Sequence, residues 1–182
     1  MKYDCILVDP PWKMKMGQWR AVSNRPQLPY SSMSIDEIKA LNVQQFAADD
    51  CHLWLWATNQ TLPNAFDIIN DWGFKYLSPI VWVKPSGMGA WFVSRTEFLL
   101  FCYRGKCELA KRYEPNVIFA NTLRHSEKPE VFYELIERVS YNSRLELFAR
   151  KIRPGWDAWG NEIPSYPEIH LSEQFRPAYF WG

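Results

Sequence analysis

No stretch of this 182-residue chain reaches the roughly 18 consecutive apolar residues of a membrane span. Residues 1–8 also lack the basic-then-apolar layout of a secretory signal. Cysteine is scarce. Cys5, Cys51 and Cys102 fall in apolar, strand-like runs, and Cys102 and Cys107 are too far apart for a Cys-x-x-Cys pair. Buried free thiols are therefore expected, not disulfides or metal ligands. No Gly-x-Gly-x-x-Gly follows the first apolar run, where a dinucleotide-binding fold would need one. Internal repeats are missing, and a net charge of +1 announces no polyanionic partner by itself. What remains is a soluble, intracellular, cytoplasmic domain without membrane contact, whose 47% hydrophobic share is ample for one core.

The informative segment is Asp9-Pro10-Pro11-Trp12, directly behind the apolar run Cys5-Ile6-Leu7-Val8. A carboxylate at a strand's end beside a stiff Pro-Pro carbonyl offers two acceptors for the two N–H bonds of an exocyclic amine. Trp12 adds a flat face for a base. Such an amine is a poor nucleophile because its lone pair is delocalised into the ring. Orienting it, and placing acceptors where positive charge develops, supplies most of the catalysis needed to methylate it. An ordinary aspartate, with a pKa of roughly 3.9, cannot deprotonate a neutral amine, so the proton leaves during or after methyl transfer. Taken alone, Asp-Pro-Pro is more often a strand end entering a turn; the neighbouring Trp12 and the features downstream favour the chemical reading.

Charge distribution says more than the sum. From Pro11 to Tyr30 there are four bases, Lys13, Lys15, Arg20 and Arg25, and no acid; beside the tetrad they suit phosphate contact. A second cluster, Arg104, Lys106, Lys111 and Arg112, surrounds Gly105, and the commoner meaning of such a run is a solvated face.

Strand and helix signals alternate. Strands are expected over 4–8, 52–57, 76–83, 96–103 and 144–149. Ser34-Ile35-Asp36-Glu37 has capping-box spacing for a helix that turns Ile35, Ile38 and Leu41 inward. Helices are also expected over 61–72, stopped by Gly73, and over 131–139. This order argues for an α/β fold, a largely parallel sheet covered on both faces, with ligands at the strands' carboxyl ends, where Asp9 falls. Residues 1–162 read as one domain. The tail, 163–182, is rich in proline and aromatics, and its role is left open.

In ordered succession stand Asp9-Pro10-Pro11-Trp12, Pro29-Tyr30-Ser31-Ser32-Met33-Ser34, Leu53-Trp54-Leu55-Trp56-Ala57-Thr58 and Val81-Trp82-Val83-Lys84. Lys128-Pro129, Ile136-Glu137-Arg138, Glu146-Leu147-Phe148-Ala149-Arg150, Gly155-Trp156 and Gly160-Asn161-Glu162 follow. Over residues 4 to about 162 the chain resembles the MT-A70 family of adenine-N6 methyltransferases, which use S-adenosylmethionine. The resemblance implies a Rossmann-like class I methyltransferase fold with a circularly permuted motif order. It also implies methyl transfer to adenine in DNA, with RNA the nearest alternative, no metal, and pairing into a homodimer or heterodimer.

By the same resemblance Asp9, Pro10, Pro11 and Trp12 are catalytic. Tyr30, Trp82, Lys84 and Glu97 line the acceptor pocket. The cofactor contacts are Asp9, Lys128, Glu146, Phe148, Arg150, Asn161 and Glu162, with Lys128 on the methionine carboxylate and the later residues around ribose and adenine. Trp82 reads equally well as a core tryptophan, and His125, placed by the resemblance where it would help close the site over the cofactor, reads at least as well as a loop histidine with an ordinary hydrogen bond. The chain departs from the family in having only eight residues ahead of Asp9, Glu162 where eukaryotic members usually carry glutamine, and no CCCH zinc fingers. It looks like a bare catalytic core of the bacterial or phage kind. Two rival readings are a non-catalytic nucleic-acid-binding partner of the same fold, which would typically lose the tetrad's acid, and a cytosine-N4 or glutamine methyltransferase, which would more often place Ser or Asn at position 9.

Overall fold

A computed structural model describes residues 1–13, 32–89, 91–122, 127–160 and 163. Their elements are β1 (Tyr3–Val8), α1 (Ile35–Lys39), a 3-10 turn (Val43–Phe46), β2 (Ala47–Thr58), α2 (Leu62–Asp71), β3 (Lys75–Met88), β4 (Ser94–Arg104), β5 (Val117–Phe119), α3 (Glu130–Val139), β6 (Arg144–Leu147) and β7 (Asp157–Trp159). The seven strands form one sheet in the order β5-β3-β4-β2-β1-β6-β7. β1 pairs in parallel with β2 and β6, β6 with β7, and β3 with β5. β4 alone is reversed, antiparallel to both β2 and β3.

Alternation along each strand sorts side chains onto two faces. Ile6, Val8, Leu53, Leu55, Ala57, Leu100, Cys102, Leu145 and Leu147 join Ile38, Ala65, Ile68 and Ile69 from α1 and α2 in one core. Cys5, Leu7, Trp54, Trp56, Leu99 and Phe101 join Phe132, Leu135 and Ile136 of α3 in the other. Both faces are thus covered, which is the expected Rossmann-like arrangement. No helix among the described residues is long and apolar enough to cross a membrane.

Local chemistry sets the helix ends. Ser34 Oγ accepts from the Glu37 N–H at 3.3 Å while Glu37 accepts from the Ser34 N–H at 2.7 Å, the reciprocal capping box. The helix runs only five residues, and Ile38 and Leu41 are buried while Ile35 is partly so. At the end of α2, Gly73 has φ +75°. Its N–H donates to the Asn70 carbonyl and the Phe74 N–H to the Ile69 carbonyl, the paired bonds of a Schellman stop.

The sheet departs from the sequence expectation in three ways. β2 starts at Ala47 and β3 continues to Met88, each about five residues beyond the expected span. β5 and β7, three residues each, lie outside every expected strand. Because β4 is reversed, its end at Arg104 pairs with Cys51 at the start of β2. The basic cluster 104–112 therefore lies at the edge opposite Asp9, where Lys111 pairs with Glu114 at 2.7 Å. It is a solvated face at the sheet end away from the tetrad, as expected of such a run.

Candidate active site

The reversal of β4 brings its beginning to the carboxyl ends of its parallel neighbours. Glu97 pairs with Thr58, the last residue of β2, and with Trp82 of β3. Asp9 emerges from β1 on the same edge, and Lys128 enters just ahead of α3. The three meet there: Lys128 Nζ lies 3.3 Å from Asp9 Oδ2 and 3.1 Å from Glu97 Oε2. Lys84 bonds the other oxygen of Glu97. The result is a row of alternating charge, Asp9, Lys128, Glu97, Lys84, with side chains only 10–23% exposed. Trp faces flank both cations, Lys128 Nζ at 4.8 Å from the Trp56 ring centroid and Lys84 Nζ at 4.6 Å from that of Trp82.

Burial and neighbours divide the proton affinities. Burial raises the Asp9 carboxyl above its ordinary value and the charge of Glu97 adds to this, outweighing Lys128. For Glu97, burial would do the same, but Lys128 and Lys84 prevail and hold it low. Burial alone would depress Lys128; the two carboxylates overturn that and raise it. The site therefore keeps a firmly charged lysine and Glu97 beside an Asp9 that takes a proton more readily than usual.

The tetrad is tightly organised. Pro10 is buried, and its carbonyl accepts the Trp12 N–H at 2.8 Å, which leaves the second lone pair of that oxygen for another donor. Trp12 Nε1 donates to the Trp56 carbonyl at 3.0 Å, so the indole is pinned to the end of β2 and half-buried. Met33 N–H donates to Pro11 O at 2.7 Å and Lys13 N–H to Met33 O at 2.9 Å. These bonds hold Lys13 and Met33 beside the tetrad; residues 14–31, Tyr30 included, lie outside the described residues.

On the far side of β1, Phe148 follows β6 with φ +65°. A bulky residue there costs on the order of 1–3 kcal/mol, a strain typical of ligand-binding turns. Its ring meets Trp159 edge-on at 5.3 Å. The Ala149 N–H donates to Trp159 O at 2.8 Å, and Gly160 packs so closely that a Cβ would fall 2.0 Å from the Ala149 carbonyl oxygen. The two turns are stitched together, which delivers the chain to Asn161 and Glu162; these two, His125 and 164–182 lie outside the described residues. Arg150 is half-buried and its charge acts on Asp9, lowering its pKa. Glu146, 6% exposed, accepts the Tyr133 hydroxyl at 2.8 Å. Burial pushes its carboxyl up to about 7 despite that bond and the nearby Arg153.

One assignment changes. Trp82 is 2% exposed, packs against Trp56 and Phe132, and donates its indole N–H to Ala120 O at 2.9 Å. It is a core residue with no open face for a base, and Lys84 covers its outer side. Two contributors escaped notice in the sequence: Trp56, which lies under Lys128, and Tyr133, which holds Glu146. The signal for Trp56 was its place two residues after Trp54, on the α3 face of the strand; for Tyr133 it was helical spacing between Phe132 and Ile136.

The MT-A70 family model matches residues 3–162. The chain belongs to the MT-A70 family. It is 29% identical, over 98% of its own length, to a putative N(6)-adenosine-methyltransferase MT-A70-like protein of Medicago truncatula, of which it covers 30%. To the human N(6)-adenosine-methyltransferase catalytic subunit METTL3 it is 30% identical, over 93% of the chain and 29% of that protein. To the type II methyltransferase M.MunI of Mycoplasma sp it is 31% identical, over 90% of the chain and 78% of that protein. The chain thus spans under a third of the plant and human MT-A70 relatives, but most of M.MunI.

Proposed function

We propose that this MT-A70 chain transfers a methyl group from S-adenosylmethionine to N6 of adenine in DNA. The observation that carries this is Asp9, fixed at the carboxyl end of β1 beside the buried Pro10 carbonyl and tied to Lys128 at 3.3 Å. The residues present fit the cofactor. Lys128 would take its carboxylate, Glu146 would accept from a ribose hydroxyl, and the strained Phe148 turn with Arg150 would border its base. Bound there, the cofactor supplies an electrophilic methyl carbon on a sulfonium.

The chain's own work is orientation and proton handling. Asp9 and the free lone pair of the Pro10 oxygen accept the two N–H bonds of the amine and aim its lone pair. Once the nitrogen is methylated it is acidic, and Asp9, with its raised proton affinity, receives the proton on a carboxylate oxygen. Trp12 backs the base. Neither Lys128 nor Glu97 needs to change charge.

The N(6)-adenosine names of the relatives support adenine N6, and the likeness to a type II methyltransferase over 78% of that protein supports the DNA reading. The word adenosine, a ribonucleoside, favours RNA as the second reading. Incubating the protein with labelled cofactor and equal amounts of duplex DNA, single-stranded DNA and RNA decides between them. Label chiefly in DNA is expected; label chiefly in RNA overturns the preference.

A further inference from the structure

The β3–β4 hairpin extends past the site in an unusual way. Val83 faces Thr96, but the next pairing is Met88 with Ser94, so five steps on β3 answer two on β4. Such a bulge bends its strand and re-aims the turn beyond it. The bend is fixed: Arg95 Nε donates to the Lys84 carbonyl at 2.8 Å. At Gly87 a Cβ would sit 2.0 Å from the Ser94 carbonyl oxygen, and at Gly89 one would sit 1.8 Å from that of Phe92, so only glycine admits this close crossing. Two glycines are thus used to hold a short, sharply folded tip, and that tip displays Trp91 at 93% exposure and Phe92 at 88%, with Met88 and Val93 beside them.

Large aromatics held open to solvent on a braced turn are a cost unless something covers them. Their location says what. Ser94 lies three residues outward from Glu97, about 10 Å at 3.3–3.4 Å per residue, so the aromatic pair stands just beyond the edge that carries Asp9. Between Pro85 and Thr96 there is one base, Arg95, and no acid, and Lys13, whose N–H donates to the Met33 carbonyl, adds a second base beside the tetrad. This is the charge of a surface that meets phosphates. A protein partner is a poorer match, since each aromatic contributes roughly 150–250 Å², whereas a stable interface needs about 800 Å² per side.

We propose that Trp91 and Phe92 form a stacking wedge, packing against nucleobases next to the target adenine. The proposal rests on the acceptor reading above and adds to it how the strand is held while one base leaves its neighbours. An adenine drawn to Asp9 must give up its stacking, and rings at the rim of the site replace what its neighbours lose.

The experiment measures affinity of the full chain for fluorescent single-stranded DNA and RNA oligonucleotides containing adenine, with S-adenosylmethionine affinity by calorimetry and mass by light scattering. In the Trp91→Ala/Phe92→Ala variant, oligonucleotide affinity should fall at least about tenfold, with cofactor affinity and mass unchanged. The Trp91→Tyr/Phe92→Tyr variant should restore binding to within about threefold, since any aromatic face stacks. Loss on only one of the two acids supports the wedge and names its strand. A wild-type protein that binds and methylates oligonucleotides as well as the double-alanine variant does overturns the wedge alone. A change of mass at full oligonucleotide affinity overturns it too and makes the tip a contact between copies. A wild-type protein that binds cofactor but no oligonucleotide overturns the acceptor reading along with the wedge.

Discussion

Lys128 lies 3.3 Å from Asp9 and also holds Glu97 at 3.1 Å, so a single ammonium favours the charged form of both carboxylates. Removing it leaves Glu97 paired with Lys84 alone and takes from Asp9 its ion-pair partner in a poorly hydrated place. In Lys128→Met, whose stem still covers the Trp56 ring, Asp9 loses the cation that opposes its burial and its pKa rises further. In the proposed mechanism ionised Asp9 accepts the amine, so activity should disappear as pH falls through its pKa. The acid limb of kcat against pH, taken at saturating cofactor and acceptor, should move to higher pH in the variant. An unmoved limb would separate Lys128 from Asp9.

Glu146 gives a second pH effect, on stability. Its carboxyl is raised from an ordinary 4.5 to about 7, so the folded protein binds this proton more tightly than the unfolded chain. Its contribution is complete at low pH and is lost as pH rises from the unfolded value through 7, up to about 3 kcal/mol in all. His52 acts oppositely: burial lowers it to about 4, and it costs stability as pH falls below about 6.5. The difference between wild type and Glu146→Gln isolates the first effect, because the amide keeps an acceptor for Tyr133. Urea denaturation at pH 5, 6 and 7.5 should show the variant gaining on the wild type as pH rises. A constant difference would contradict the assignment.

Gly160 is the point where the turns after β6 and β7 touch, the turns proposed above to border the cofactor. A methyl there meets the Ala149 backbone, at 2.0 Å from its oxygen and 2.7 Å from its nitrogen, and backbone cannot swing aside as a side-chain end can. Gly160→Ala should cost about 1–3 kcal/mol of stability and weaken S-adenosylmethionine binding, while leaving the tetrad in place. Calorimetry reads the affinity, and full affinity in a destabilised variant would detach this contact from the cofactor site.

Much of this was legible in the chain because its central elements carry their own signals. β1 is a continuous apolar run ending in Asp-Pro-Pro-Trp, α1 opens on a capping box, and α2 ends on Gly73. β5 and β7 were not legible, since three residues at a sheet edge hold little pattern of their own and exist by pairing with β3 and β6. Nor does alternation reveal strand direction. The reversal of β4 alone brings Glu97 to Lys128 and carries Arg104 to the other edge, and it decides which residues meet. Trp82 misled for a related reason: a tryptophan two residues before Lys84 looks the same whether its ring lines a pocket or lies under one.

The most direct measurement is nucleoside analysis of DNA after incubation with labelled S-adenosylmethionine and either the wild-type protein or Asp9→Ala. Wild type should place the label in N6-methyladenine. At saturating cofactor the folded variant should lose about 100-fold or more in rate, the scale of removing one preorganised electrostatic partner. Equal rates from the two proteins, or label on another base, would contradict the role given to Asp9 and the chemistry built on it.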